Sequence, residues 1–218
     1  MKLTHALYEP GGDGPFPTLF AFHGYGSNAL DLLGLAPHVA RGRLLVIAAE
    51  GPDELVLDTV GGGSPRGFGW FPLTLANPPT PLAVASAVAR AREFVDEAMA
   101  RYPVDRGRVG VLGFSQGGVV AYALALSAPD RFPTLAALSS WLPDDLAASL
   151  PAVDRSRLSA LVQHGRRDEV IAPARGRASA EKLRAFGAEV TLREYDMAHE
   201  VGARSLADLS AWLEERLG

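Results

Sequence analysis

The chain has 218 residues, enough to bury a core within one domain spanning residues 1–218. Hydrophobic residues make up 48% and charged residues 21%, and a net charge of -4 with scattered Lys and Arg offers nucleic acid no electrostatic footprint. The absence of cysteine excludes disulfides, thiolate catalysis and zinc–cysteine sites, and no apolar leader or stretch of ~20 apolar residues is present, so a cytoplasmic protein without a membrane span is expected.

Residues 4–8 read as an antiparallel edge strand. Residues 18–22 are a short run rich in aromatics, closed by His23-Gly24, and residues 44–48 form a second apolar run. Residues 51–80 break the pattern with Gly61-Gly62-Gly63, Trp70-Phe71 and Asn77-Pro78-Pro79, which predicts an ordered but irregular loop beside a site. A helical period follows over 81–101, with Leu82, Val88, Val95 and Met99 on one face and Pro103 as its stop. Strand 108–114, helix 116–127, strand 134–138, strand 160–164, helix 173–186, strand 190–194 and helix 205–217 complete the chain. Gly187 suits a C-cap, and Leu206, Leu209, Leu213 and Leu217 form the apolar stripe of the last helix. Apolar strands alternating with helices predict an α/β fold: a mainly parallel sheet with helices on both faces.

Gly113-Phe114-Ser115-Gln116-Gly117 matches G-x-S-x-G at the junction of a predicted strand and a small-residue helix. A sharp turn there lifts the Ser115 hydroxyl into a cleft. A serine hydroxyl is a weak nucleophile alone; it needs an imidazole to take its proton and a carboxylate to hold the imidazole. In this strand-turn-helix context the chain order is serine, carboxylate, histidine. Only His164 and His199 follow Ser115. His164 closes a buried strand and reads as a structural histidine, so the order selects Ser115, Asp168 and His199. Glu169 is an alternative carboxylate, and Asp196 a less natural one. The expected oxyanion donors are the backbone N–H groups of Gln116 and Tyr25, with His23 holding the loop of Tyr25. His5 and His38 read as surface residues.

These residues resemble the phospholipase/carboxylesterase family of small carboxylesterases and acyl-protein thioesterases. The resemblance rests on Phe22-His-Gly-Tyr-Gly26, Gly113-Phe-Ser-Gln-Gly-Gly118, Ala137-Leu-Ser-Ser-Trp-Leu-Pro143, His164-Gly-Arg-Arg-Asp-Glu-Val170 and Tyr195-Asp-Met-Ala-His-Glu200. It implies the α/β-hydrolase fold without a large cap domain, no cofactor or metal, and hydrolysis of a small-molecule ester or thioester of short to medium acyl chain. By position in the family, Trp70, Phe71, Trp141 and Val170 would line the acyl pocket. A monomer or homodimer is expected. A peptidase on the same fold and a non-catalytic binding protein on a hydrolase scaffold are the alternatives.

Overall fold

A computed structural model of the chain describes residues 1–56, 66–73 and 79–218. Along the chain run β1 (His5–Tyr8), β2 (Phe16–Phe22), α1 (Ala29–Leu33), β3 (Leu45–Ala49), β4 (Asp53–Val56), β5 (Arg66–Gly69) and α2 (Pro81–Arg101). The remainder comprises β6 (Val104–Phe114), α3 (Gln116–Ser127), β7 (Thr134–Leu138), α4 (Asp144–Ser149), β8 (Ser159–Gly165), α5 (Pro173–Ala185), β9 (Glu189–Tyr195) and α6 (Ala203–Leu217). Among the described residues the main sheet has the order β1-β3-β2-β6-β7-β8-β9. Every pairing in it is parallel except β1 with β3, so the predicted antiparallel edge strand is present. No described helix is long and apolar enough to cross a membrane.

The strands are apolar on both faces because helices cover both. Phe20, Phe22, Leu45 and Ile47 point into the core beneath α2, α3 and α5. The intervening Leu19, Ala21, Val46 and Ala48 point into the core beneath α1 and α6. Helix α3 is apolar all round and buried from Gln116 to Leu126, which makes it the inner helix of its layer. Helix α2 starts at Thr80, whose hydroxyl accepts from Ala83 N–H at 3.2 Å, and places Pro81 in its first turn. Its buried face runs through Val84, Val88, Phe94, Val95 and Met99.

Several expectations need correction. Leu82 is exposed, because it lies about 200° around the helix from Val84. His5 is half-buried rather than on the surface, with its Nε2 2.7 Å from the Tyr102 hydroxyl and its ring against Phe94. Helices α1 and α4 are one or two turns long and left no periodic signal. Within 51–80, residues 53–56 and 66–69 form an antiparallel hairpin where an irregular loop was expected. Gly61, Gly62, Gly63, Asn77 and Pro78 lie outside the described residues.

Parallel pairing makes β6, β7, β8 and β9 end at one edge of the sheet. The segments that follow them, beginning at Ser115, Ser139, Arg166 and Asp196, therefore emerge side by side.

Candidate active site

Ser115 occupies the turn from β6 into α3 with φ 52° and ψ −118°, a left-handed backbone that costs a non-glycine residue roughly 1–3 kcal/mol. The turn holds because its neighbours are locked. Ser115 N–H donates to the Leu138 carbonyl at 2.9 Å. The Ser115 carbonyl accepts from Gly118 N–H at 3.0 Å and from the Ser140 hydroxyl at 2.7 Å. Glycine is required at 113 and 117 by close approach. A Cβ on Gly113 would overlap the Gly117 carbonyl, and one on Gly117 would overlap the carbonyls of Phe22 and His23. Helix α3 is thereby drawn against the end of β2.

That contact brings the loop 23–27 beside the start of α3. His23 is buried and bridges two strands' ends: its Nδ1–H donates to the Gly24 carbonyl at 2.7 Å, and its Nε2 accepts from Gly51 N–H at 2.9 Å. Burial holds the His23 imidazole below the usual histidine range, against the opposing pull of the Gly24 carbonyl and Asp31. Among the described residues, the backbone N–H groups of Tyr25 and Gln116 have no hydrogen-bond partner. Two free amides on facing turns can receive a developing oxyanion.

The segment 66–71 braces this loop. Gly26 N–H donates to the Phe68 carbonyl at 2.9 Å and Phe68 N–H to the Ser27 carbonyl at 2.7 Å. Trp70 Nε1–H donates to the His23 carbonyl at 2.9 Å while its ring meets Phe22 edge-on. The Gln116 side chain completes the brace: its Oε1 accepts from Trp70 N–H at 2.8 Å and its Nε2 donates to the Phe71 carbonyl at 2.6 Å. Only the main chain of Gln116 was expected to matter. No periodic or spacing signal announces a side-chain bond across 45 residues.

On the other side, Asp168 sits fully buried in the turn after β8. Its Oδ1 accepts from the N–H groups of Val170 at 2.9 Å and Ile171 at 2.8 Å. Its Oδ2 accepts from His199 Nδ1–H at 2.8 Å. The Nε2 of His199 is then left with its lone pair, and the ring lies 4.8 Å from that of Phe114, the residue before Ser115. The loop carrying His199 packs directly on β8: a Cβ on Gly165 would overlap the carbonyls of Met197 and Ala198. Glu169 is exposed, and Asp196 pairs with Arg167 at 2.8 Å, so neither alternative carboxylate engages His199 among the described contacts.

The four residues named for an acyl pocket fall in different settings. Trp70 and Phe71 are sealed in the core, behind the loop 23–27. The Val170 side chain is open to solvent. Trp141, one residue beyond Ser140, is buried beneath the Arg175 guanidinium at 4.9 Å and borders a cleft of about 400 Å³ with Pro79, Pro143 and Lys182. The sequence reading gave no role to Ser139, which is buried and strained at φ 45°; His164, read as structural, is buried with its Nε2 2.8 Å from the Ile171 carbonyl.

The profile described as Phospholipase/Carboxylesterase matches residues 5–217. An acyl-protein thioesterase 1 from Gibberella zeae is 30% identical over 114 residues, covering 50% of this chain and 48% of that protein. A probable SOBER1-like carboxylesterase from Arabidopsis thaliana is 26% identical over 155 residues, covering 68% and 59%. The matched stretches thus span about half of these curated relatives' length. Among solved structures, a Bacillus cereus carboxylesterase superposes with TM-score 0.82 at 21% identity, covering 99% of this chain and 95% of that one. A Mesorhizobium loti carboxylesterase superposes with TM-score 0.80 at 24% identity, covering 97% and 94%. At these identities the superpositions speak for the α/β-hydrolase fold.

Proposed function

The chain belongs to the phospholipase/carboxylesterase family, and from that premise we propose that it is a serine hydrolase acting on esters or thioesters of small molecules through an acyl-enzyme on Ser115. The observation that carries this reading is the bond from His199 Nδ1–H to Asp168 Oδ2 at 2.8 Å, in a site where Ser115 projects from a strained turn next to Phe114. That bond fixes the imidazole in the tautomer whose Nε2 can accept a proton.

In the proposed reaction Ser115 Oγ attacks the carbonyl carbon as His199 Nε2 takes its proton. The Asp168 carboxylate stabilises the imidazolium. The oxygen of the tetrahedral intermediate gathers negative charge and takes hydrogen bonds from the amides of Tyr25 and Gln116. The alcohol or thiol leaves with the proton from His199. Water then attacks the acyl-enzyme by the same route, returning the acid and free Ser115.

The test is Ser115→Ala. It should lower kcat for a nitrophenyl ester by about 10⁴-fold or more and abolish fluorophosphonate labelling. Undiminished turnover in that variant would overturn the reading. A parallel series of nitrophenyl and thioester substrates measures acyl length, and faster cleavage of an aminoacyl amide would point to a peptidase instead.

A further inference from the structure

We propose that Ser140 is a positioning residue: by holding the carbonyl of Ser115 it aims the N–H of Gln116, the other end of the same peptide, at the developing oxyanion. The inference rests on the serine-hydrolase reading and deepens it.

The Ser115 carbonyl and the Gln116 N–H belong to one planar peptide, and that peptide is trans. The two groups point in opposite directions, so whatever holds the carbonyl also aims the N–H. Two donors hold it. Gly118 N–H reaches the oxygen at 3.0 Å from the first turn of α3, and the Ser140 hydroxyl reaches it at 2.7 Å from beyond the end of β7. A carbonyl only accepts, so the hydroxyl donates. One bond already satisfies the buried oxygen. The second, from a separate element, keeps the peptide plane from rocking. With the carbonyl turned toward α3 and Ser140, the N–H faces out of the helix start. Strand β2, which leads into the loop of Tyr25, lies on the other side of β6 from β7.

The surroundings are built for this contact. The chain turns sharply after β7: Ser139 has φ 45°, and its N–H donates to the Gln163 carbonyl of β8 at 2.8 Å. The residue that follows, Ser140, is buried against α3. Gly118 leaves the space for it. A Cβ on Gly118 would stand 2.2 Å from Ser140 Oγ and 2.4 Å from Ser140 Cβ, so a side chain at 118 would expel the hydroxyl. A hydrogen bond at a peptide carbonyl also polarises the peptide, which makes the N–H at its far end a stronger donor. The Gln116 N–H has no partner among the described residues, so that strength is available to a ligand oxygen.

The experiment compares the wild-type protein with Ser140→Ala, Ser140→Cys and the double variant Gly118→Ala with Ser140→Gly, in which a methyl group refills the space without a donor. The readouts are kcat and KM for a nitrophenyl ester, the Ki of a trifluoromethyl ketone, the amide nitrogen resonance of Gln116, and the melting temperature. Removing a whole oxyanion donor costs about 10²–10³ in kcat, and a misaimed one costs less. S140A should therefore lower kcat about tenfold with KM within about twofold. It should weaken the ketone, whose serine adduct is an oxyanion, by a similar factor. The Gln116 nitrogen should move upfield as its peptide loses a hydrogen bond. The melting temperature should fall by only about 2–4 °C, since Gly118 N–H still satisfies the carbonyl. S140C, whose thiol is a weak donor, should lower kcat about threefold. The double variant should stay as slow as S140A. It decides the matter where S140A fails to fold, and S140C decides it where both fail. Wild-type kcat in any folded variant, an unmoved Gln116 resonance in S140A, or a rise in KM that accounts for the whole loss would each overturn the proposal. Failure of the underlying hydrolase reading shows separately, as a wild-type protein that neither cleaves the ester nor binds the ketone while its Gln116 resonance still responds to S140A.

Discussion

The two halves of the site are built by different means. The Asp168–His199 half comes from the ends of adjacent parallel strands β8 and β9, and its loops are joined by short-range bonds to the sheet beneath. The half proposed to hold the oxyanion is assembled from three segments far apart in the chain: the loop 23–27, the start of α3, and residues 66–71. Strand order alone brings the first half together. The second half depends on a few buried side chains, Trp70, Gln116 and His23, whose hydrogen bonds replace a continuous ladder. Damage to the first half should therefore cost chemistry while leaving the fold; damage to the second should cost both.

The largest contrast is expected from Asp168→Asn. An amide there gives His199 the wrong tautomer, so kcat for a nitrophenyl ester should fall about 10⁴-fold. A near-normal melting temperature in that variant would sharpen the distinction, and an unfolded protein would break it. Trp70→Ala acts on the other half. It empties a buried ring and frees the His23 carbonyl, so denaturant unfolding should show a loss of about 3–5 kcal/mol. Gln116→Leu keeps the volume and the main-chain donor but leaves the Trp70 N–H and Phe71 carbonyl unpaired. A loss of about 1–3 kcal/mol is expected, with kcat reduced as the loop loosens. A stable, fully active Gln116→Leu would show that its side chain does not brace the oxyanion loop.

The smallest effect is one of pH. Burial depresses the His23 pKa in the folded protein, so the unfolded chain binds its proton more readily. The resulting stabilisation is fully present above the unfolded value of about 6.5 and is lost as pH falls through the lower folded value. Melting temperatures taken from about pH 7.5 down to about pH 5 should decline, and His23→Gln should flatten that decline. An unchanged slope would remove His23 from the brace.

The first half was legible in sequence to nearly its last residue. Strands 134–138, 160–164 and 190–194 were marked by apolar runs between turn residues, and the order of Ser115, Asp168 and His199 follows from how this fold threads its loops. The second half was legible only in part. Gly24 and Gly26 signalled a turn, yet the hairpin of 53–56 and 66–69 carried no clear alternation, because its residues serve the loop 23–27 rather than the main sheet. His164 read as a structural histidine; its approach to the Asp168 carboxylate depends on the turn 168–171 folding back over the strand it left. Leu82 fitted a helical face in the pattern but lies outside the stripe that α3 and the sheet cover.

By itself, then, the sequence determined the parallel α/β sheet, the sharp turn at Ser115, and the pairing of Asp168 with His199. Those features rest on local periodicity and on glycines that only a close approach explains. Only the tertiary structure decided that the Gln116 side chain clamps Trp70 and Phe71, that Trp70 faces the core, and that the His164 imidazole bonds the Ile171 carbonyl at the end of the turn that holds Asp168. Each is a bond between groups whose separation in the chain leaves no periodic trace, and each exists only where packing has removed the water that would otherwise take its place.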